Sequence, residues 1–538
     1  MMLKSGISKQ SLARVGIKTQ RCFLHASSTL RGALTSKPYA FTARPWELNK
    51  TETIDGMNAM GSNINIHTRG TDLMRVVPRT NDDINEEWID DKTRFAYDGL
   101  KRQRLTQPLV RDAEDPTKWD TTMSTWRDAL KRIEIRAFAG NNNKPTMRAI
   151  VGPSVDLYSA LALSDWIASA AANSPVLETL GSVSPNRDLP NQFRFGSTFA
   201  GVEESDLALL VGTNLEVDCP LLIARMRKPY LADQLKIYNI GYQNNLRFPV
   251  QQLGLTADTL IDIAEGRHPF CTELATSAKP MIFVDSSVFE RSDGATLAGA
   301  VEAIAEFSNL RQVDADGNIT WNGVNVIHRN ANDVGLLELG RSVPFSAENN
   351  NQTVDLLYLL GVGADELPVS VEELKGSGKF IVYQGSHGDE LAAAADVVLP
   401  GCAFSEKNSV FVNMEGRSQK GRFALAGPGL ARDDWKIIRA LSEVCPGETL
   451  PYDDEEALQT RLEQLLPSAS SMGYVESSQF IPENNWLLTK VMSRGRVSKT
   501  PFTPVNYDFH LQGHAVARAS QTMAKCSQTL SESRSNFA

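Results

Sequence analysis

Short apolar runs alternate with amphipathic stretches over most of this chain. From Met147 onward, runs that suit buried strands are followed by stretches with helical spacing, such as residues 156–172 and 293–307. Buried strands that alternate with helices are typical of a parallel sheet covered by helices on both faces. The pattern therefore predicts an α/β fold from this point onward.

The region before these segments has a different pattern. Residues 64–68 and 73–77 alternate apolar and polar positions around the turn residues 69–72, which is typical of a β-hairpin. Helical spacing first appears over residues 126–138. The sequence thus predicts a small β-rich leading domain over residues 35–115.

Three strand-like segments of the α/β region occur twice, and in the same order. Residues 147–152, 206–212 and 236–241 resemble residues 281–285, 355–361 and 379–385, respectively. A buried strand that ends in glycine is common, so each pair alone is weak. The shared order predicts two Rossmann-like doubly wound lobes, over residues 116–275 and 276–450. Residues 451–538 are then a C-terminal extension with a docking helix.

Length and charge narrow the class of protein. The chain has 538 residues, 55 Lys and Arg against 64 Asp and Glu, and a formal net charge of −9. This length exceeds the size at which one hydrophobic core stops growing, which agrees with more than one lobe. The acidic balance argues against a nucleic-acid binder. No apolar run approaches the roughly 18 residues of a membrane span, so membrane association is expected only through partners.

The N-terminus has the composition of a targeting segment. Residues 1–46 contain eight Lys or Arg and no acidic residue. A basic, Ser-bearing and acid-poor start predicts a mitochondrial transit peptide, which we assign to residues 1–34. An exposed basic arm is the alternative.

Cysteine usage bears on metal chemistry. The six cysteines are widely scattered: Cys22, Cys219, Cys271, Cys402, Cys445 and Cys526. Such spacing is typical of a reduced compartment and not of a disulfide framework. An ordinary iron-sulfur cluster needs four thiolates, several of them close in sequence. We therefore expect no metal ligands and no bound cofactor in this chain.

Two loops are candidates for chemical sites. Residues 361–366 supply two glycines, but Asp365 and Glu366 stand where a phosphate-binding loop would accept a pyrophosphate. A nucleotide sensor that uses this loop stays open as an alternative. In residues 385–389, Asp389 is expected to cap a following helix and not to act in acid–base chemistry. No residue is predicted to be catalytic or cofactor-binding.

Several long segments, read together, resemble one protein family. They are SKPYAFTARPWE at 36–47, DINEEWI at 83–89, KTRFAYDGLKRQRL at 92–105, PGLARDDWKIIRALS at 428–442 and RASQTMAKC at 518–526. These segments resemble the large iron-sulfur subunit of mitochondrial NADH:ubiquinone oxidoreductase (complex I). The chain also resembles the wider molybdopterin oxidoreductase superfamily, with ADVVLP at 395–400 and EGR at 415–417.

The resemblance implies a fold and a supporting function. In that family a cysteine-rich N-terminal part carries the iron-sulfur clusters, and no counterpart of it stands in this sequence. Either a separate chain supplies that part or the sequence is truncated, and the transit-like leader immediately before Thr35 favours a split subunit. We therefore predict a non-catalytic scaffold in the peripheral arm of complex I, on the matrix side of the mitochondrial inner membrane. Its partners would be other peripheral-arm subunits, above all a separate chain that carries iron-sulfur clusters. The alternative is an active molybdopterin-type oxidoreductase.

The leading domain is expected to hold the partner's cluster domain. Arg and Trp are favoured as anchors of protein contacts. The predicted interface residues are Arg44, Trp46, Trp88, Arg94 and Tyr97. Trp46 and Trp88 could equally belong to the core of the small domain.

Overall fold

The computed structural model describes residues 36–535, except residues 37, 113, 116, 121, 123–124, 139–143, 174, 182–183, 244–245, 247, 352–353, 376–378, 476–496 and 504–507. The predicted transit peptide, residues 1–34, lies outside this range. None of the helices in the described ranges is long and apolar enough to cross a membrane.

The leading domain is built on a three-stranded antiparallel sheet. Its strands are β1 (Asn49–Ile54), β2 (Asn63–Arg69) and β3 (Asp72–Pro78), in that order across the sheet. Gly70 adopts a φ of 61° at the turn, so the predicted hairpin is present. A short helix, α1 (Asp91–Phe95), and a 3-10 helix (Ala96–Lys101) follow. Strand β4 (Leu109–Val110) already belongs to a larger sheet, so the leading domain ends before residue 115.

The first half of the α/β region continues the chain in order. Its elements are α2 (Trp126–Ala137), β5 (Met147–Val151), α3 (Leu157–Ala170), β6 (Leu177–Thr179), β7 (Leu207–Val211), α4 (Leu215–Asp218), α5 (Pro220–Leu231), β8 (Lys236–Ile240), β9 (Gln251–Gly254), α6 (Ala257–Ala264) and α7 (Phe270–Thr276). The central strand β7 is wholly apolar and β5 is apolar apart from Arg148, because parallel strands are buried on both faces.

The second half completes the sheets. Its elements are β10 (Pro280–Asp285), α8 (Gly294–Glu306), β11 (Arg311–Val313), β12 (Ile319–Asn322), β13 (Val324–Ile327), α9 (Asp333–Glu338), β14 (Ser342–Pro344), β15 (Leu356–Leu360), α10 (Val371–Lys375), β16 (Phe380–Gly385), α11 (Glu390–Ala394), β17 (Val397–Pro400), β18 (Ser409–Val412), β19 (Ser418–Gly421), α12 (Asp434–Val444), α13 (Glu455–Leu465), α14 (Ala515–Ala519) and α15 (Gln521–Ser535).

Two mainly parallel sheets organise the body. The seven-stranded sheet has the order β14-β6-β5-β15-β16-β17-β4, in which only β4 runs antiparallel to its neighbour. The five-stranded sheet has the order β13-β10-β7-β8-β9 and is parallel throughout. The predicted α/β class with two doubly wound lobes and a β-rich leading domain is confirmed.

The members of each repeat pair occupy equivalent places in the two sheets. β5, β15 and β16 are adjacent in the seven-stranded sheet, as β10, β7 and β8 are in the five-stranded sheet. The lobes are nevertheless not contiguous at 116–275 and 276–450. The five-stranded lobe is inserted between β6 and β14, and strands of both predicted lobes contribute to each sheet. A buried apolar run fits the centre of either sheet equally well, so its pattern does not reveal which sheet it joins.

Candidate functional site

Ligands of open parallel sheets bind in the crevice at the carboxyl ends of the strands. The five-stranded crevice is formed by the loops after β7, β8, β10 and β13. The seven-stranded crevice is formed by the loops after β5, β15 and β16. These two crevices and the leading domain are the candidate functional regions.

A buried ion cluster closes the five-stranded crevice. Arg329 donates from Nε to Asp218 Oδ1 at 2.9 Å and from Nη2 to Asp285 Oδ2 at 2.5 Å. Asp218 also accepts a hydrogen bond from the backbone N–H of Asn214 at 2.9 Å, which fixes the loop after β7. Burial raises the pKa of Asp285 to about 6, although Arg329 opposes that shift. The cluster joins three loops of this crevice to one another.

A second buried cluster lies at the seven-stranded crevice, between the loop after β5 and the end of β16. Lys407 Nζ lies 2.6 Å from Asp156 Oδ2 and 2.5 Å from Asp434 Oδ2. Gln384, at the end of β16, donates to Asp434 Oδ1 at 2.9 Å. Burial disfavours the lysine charge, yet the two carboxylates together raise the pKa of Lys407. In each cluster one cation faces two acids, so the net charge is negative when both acids are ionised, and an anionic ligand is disfavoured.

The loop after β15 is closed by carboxylates of this chain. A Cβ added at Gly152 would lie only 1.9 Å from Gly361 O, so the strand ends meet too closely for a side chain. The N–H of Gly363 donates to Glu366 Oε2 and the N–H of Ala364 donates to Asp389 Oδ2, both at 2.9 Å. Backbone N–H groups that could cradle a phosphate are therefore already bonded to acids.

The loop after β16 has a structural role. Asp389 accepts from the N–H groups of Leu391 and Ala392 at the start of α11, as predicted for a helix cap. His387 is buried, and its Nε2 lies 3.1 Å from Gly99 O of the leading domain. Burial, with help from Arg104, lowers the pKa of His387 to about 3. The ring is therefore neutral at physiological pH and bridges two parts of the fold.

The leading domain docks onto the lobes through buried arginines. Arg104 makes two contacts with Glu406, Nη1 to Oε1 at 2.6 Å and Nη2 to Oε2 at 2.5 Å. Arg225 on α5 donates from Nη2 to the backbone carbonyl of Ile84 at 3.1 Å. Such bidentate, desolvated contacts fix orientation as well as contributing energy.

The predicted interface residues do not form one patch. Trp46 is 79% exposed, and the Arg44 guanidinium lies 5.9 Å from its ring centroid, near the start of β1. Trp88 is 60% exposed, but it adjoins Asn85, which bonds to Asn63 at the opposite end of the sheet. Neither tryptophan is a core residue.

The other two predicted interface residues are half-buried. Arg94 lies in α1 and Tyr97 lies in the following 3-10 helix. Tyr97 packs against the core of the leading domain, and burial raises the pKa of its hydroxyl. Sequence reasoning did not single out Arg329 or Lys407 for the crevices, because their partners lie far away in the chain.

Comparisons with known proteins identify the fold family that has this architecture. Residues 104–444 match the family described as Molybdopterin oxidoreductase. Among solved structures, acetylene hydratase from Pelobacter acetylenicus has a TM-score of 0.55 at 13% identity, and the match covers 80% of this chain and 74% of that chain. The fold is therefore that of the molybdopterin oxidoreductases.

Closer relatives define the family. The NADH-ubiquinone oxidoreductase 75 kDa subunit of Reclinomonas americana is 39% identical over 92% of this chain and 70% of its own length. The mitochondrial NADH dehydrogenase [ubiquinone] iron-sulfur protein 1 of Solanum tuberosum is 40% identical over 93% of this chain and 64% of its own length. This chain belongs to the family of the large iron-sulfur subunit of NADH-ubiquinone oxidoreductase, as its sequence predicted. It spans about two thirds of the length of these relatives.

The prediction that no cofactor belongs to this chain is wrong. Residues 48–98 match the family described as NADH-ubiquinone oxidoreductase NDSU1/NuoG-like, 4Fe-4S domain, and the Solanum tuberosum relative is named an iron-sulfur protein. The prediction relied on cysteine spacing alone, whereas the match to this domain depends on residues other than cysteine.

The side chains of this segment do not fit a tetranuclear cluster of the ordinary kind. Residues 48–98 contain no cysteine, so they supply none of the thiolates that usually ligate such clusters. The single histidine of the segment, His67, accepts a hydrogen bond from Arg75 Nε at 2.9 Å. Within the described ranges, no group of three or more His, Cys, Asp or Glu side chains could hold a metal ion.

Proposed function

We propose that this chain is a structural subunit of the peripheral arm of mitochondrial complex I. It lies on the matrix side of the inner membrane and supports electron transfer from NADH to ubiquinone by holding an iron-sulfur domain in place. Its contribution is to position partner subunits, and the redox chemistry of the complex is carried by those partners.

One observation carries this proposal. The similarity to the two relatives described above extends over 92–93% of this chain, through the leading domain and both lobes. Similarity of that extent constrains packing throughout the body and not only at one local site. The buried ion clusters agree with a structural role, because their ion pairs hold the loops at the strand ends in place.

The exposed tryptophans give the proposal a contact surface. Trp46, with Arg44 beside it, and Trp88 stand out at the two ends of the leading sheet. Large exposed aromatics paired with arginine are favoured anchors at protein interfaces. We propose that the partner bound there is a separate chain that carries iron-sulfur clusters.

Co-purification tests this assignment. A tagged full chain is expressed in mitochondria with both Trp46→Ala and Trp88→Ala, and captured partners are quantified by mass spectrometry. We expect capture of an iron-sulfur chain to fall at least about tenfold, since aromatic anchors often contribute about 2 kcal/mol or more. Phe307→Ala is the matched control, because Phe307 is 78% exposed but belongs to the five-stranded lobe.

Two results would contradict the proposal. The first is that the unaltered chain captures no subunit of the respiratory chain. The second is that the tryptophan variant and the Phe307 control capture the iron-sulfur chain equally well. The first result removes the assignment to complex I, whereas the second removes only the proposed contact surface.

A further inference from the structure

The C-terminal part of the chain returns to both crevices and to the leading domain. We define the C-terminal strap as the described residues 497–502 and 508–531. It comes after both lobes in the chain and is separated by long sequence intervals from every surface it contacts. Its contacts are too many and too specific for a loosely attached tail.

Phe502 fills the five-stranded crevice. Its side chain is 5% exposed and belongs to the hydrophobic core of that lobe. Gly212, with a φ of 62°, and Gly241, with a φ of 128°, leave the space that the ring occupies: Cβ atoms added there would lie 3.4 and 3.2 Å from Phe502. The N–H of Phe502 donates to Leu255 O at 3.0 Å, and Arg291 lies over the ring at 5.0 Å.

Arg518 occupies the front of the seven-stranded crevice. Its Nη1 lies 2.6 Å from Asp365 Oδ1, and its Nη2 lies 3.4 Å from Asp389 Oδ2. A Cβ added at Gly363 would lie 1.7 Å from the same Nη1, so the guanidinium is seated against the bare backbone of the glycine loop. Arg518 therefore offsets part of the negative charge of the acids that close this loop.

The same segment is packed against the leading domain. A Cβ added at Gly99 would lie 1.9 Å from Val516 O, which shows how closely α14 approaches that backbone. Asp98 accepts hydrogen bonds from the N–H of Thr522 at 3.1 Å and from its hydroxyl at 3.0 Å. The buried Lys92 donates to Gln512 O at 2.8 Å.

Three parts of the molecule thus meet on one segment, and its anchors match the chemistry of each surface. The apolar part of the five-stranded crevice, with its positive-φ glycines, receives an aromatic ring, and the acidic loop of the seven-stranded crevice receives a guanidinium. We propose that the two crevices are binding sites for the chain's own C-terminal strap, and that the bound strap fixes the leading domain on both lobes.

Direct contacts between the leading domain and the lobes provide the competing explanation. Arg104 with Glu406 and Arg225 with Ile84 hold other sides of the leading domain without the strap. If they alone fix its position, disturbing the crevice end of the strap will leave the leading domain unchanged. The two explanations predict different behaviour for the 3-10 helix Ala96–Lys101 when the strap is disturbed, because this helix contacts α14 directly.

Hydrogen exchange on the full chain tests the proposal. In Arg518→Met, we expect amides of Ala96–Lys101 to exchange about tenfold faster or more. The acids that Arg518 pairs with lose their partner, so the strap is held less tightly and the free energy of local opening falls. In Phe502→Ala, amides of residues 212–214 and 240–241 should exchange faster by a similar factor. Arg267→Met and Phe307→Ala are the matched controls, because both side chains are exposed on the five-stranded lobe.

A charge swap makes the result specific. Arg518→Asp should raise exchange at Ala96–Lys101 further, and adding Asp365→Arg should restore it towards the value of the unaltered chain. Exchange within twofold of the unaltered chain in both single Arg518 variants would overturn the proposal. If Arg518→Asp does not fold, recovery of folding and protection in the double variant supports the proposal, and failure to recover overturns it.

Discussion

The two lobes share one arrangement of strands, but different side chains fill the crevices at the ends of those strands. In the five-stranded crevice, an arginine of the same lobe bridges two aspartates, and the remaining space is filled by an aromatic ring. In the seven-stranded crevice, Lys407 bridges two aspartates, and an acidic loop faces the guanidinium of Arg518. Equivalent strand ends therefore do not imply equivalent sensitivity to mutation or pH.

Mutation should lower the stability of the chain most at Lys407 and Arg329, the two cations that bridge aspartates. Lys407→Met leaves Asp156 and Asp434 buried without their cation, and breaking a buried ion pair in this way costs about 3 to 5 kcal/mol. Chemical denaturation of the full chain would measure the loss. Lys228→Met is the control, because Lys228 is 48% exposed beside Glu86 and Glu203 and should cost about 1 kcal/mol or less. Equal losses in the two variants would contradict a structural role for Lys407.

Arg329→Met should also destabilise the chain, and its effect should depend on pH. Asp285 already has a pKa of about 6, raised by burial, so it can take up a proton near neutral pH when its cation is removed. We expect a loss of about 2 kcal/mol at pH 7, because protonating such a group there costs only about 1.4 kcal/mol. The loss should shrink at pH 5.5, where Asp285 is more protonated. A loss that grows as the pH falls would rule out this explanation.

The smallest expected effect concerns Glu366. Burial raises its pKa to about 7 against the opposing charge of Arg518, compared with 4.5 for the ordinary group. The folded chain then binds more protons than the unfolded chain between these values, so this group's contribution to stability falls as the pH rises from about 4.5 to 7. Glu366→Gln should therefore be about 1 kcal/mol more stable than the unaltered chain at pH 8 and nearly equal to it at pH 5. If the stabilities of the two proteins changed in parallel between pH 5 and pH 8, the raised pKa of Glu366 would be contradicted.

Local patterns in the sequence predicted the fold well at short range. The hairpin at residues 69–72, the helix cap at Asp389 and the three pairs of repeated strands are all present. The assignment of strands to lobes differed, because β5 and β10 are both buried and mainly apolar, and only long-range packing decides which sheet each joins. Domain bounds drawn along the chain could not represent an inserted lobe.

The closure of the crevices lay beyond sequence reasoning for the same reason. Arg518 and Phe502 follow both lobes in the chain, and nothing in their neighbouring residues indicates a partner in a glycine loop 150 or more residues earlier. The acids at 365 and 366 were recognised as unsuited to a pyrophosphate, but the cation that they face was not identified. Cysteine spacing likewise failed to register the 4Fe-4S domain at residues 48–98.

Native electrophoresis of mitochondria tests the central claim most directly. The full chain is detected by antibody on the same gel that is stained for NADH dehydrogenase activity. We predict that the chain migrates in the band with that activity and that the band keeps the chain after mild detergent washing. Migration of the chain in a separate particle without the activity would contradict a role in complex I.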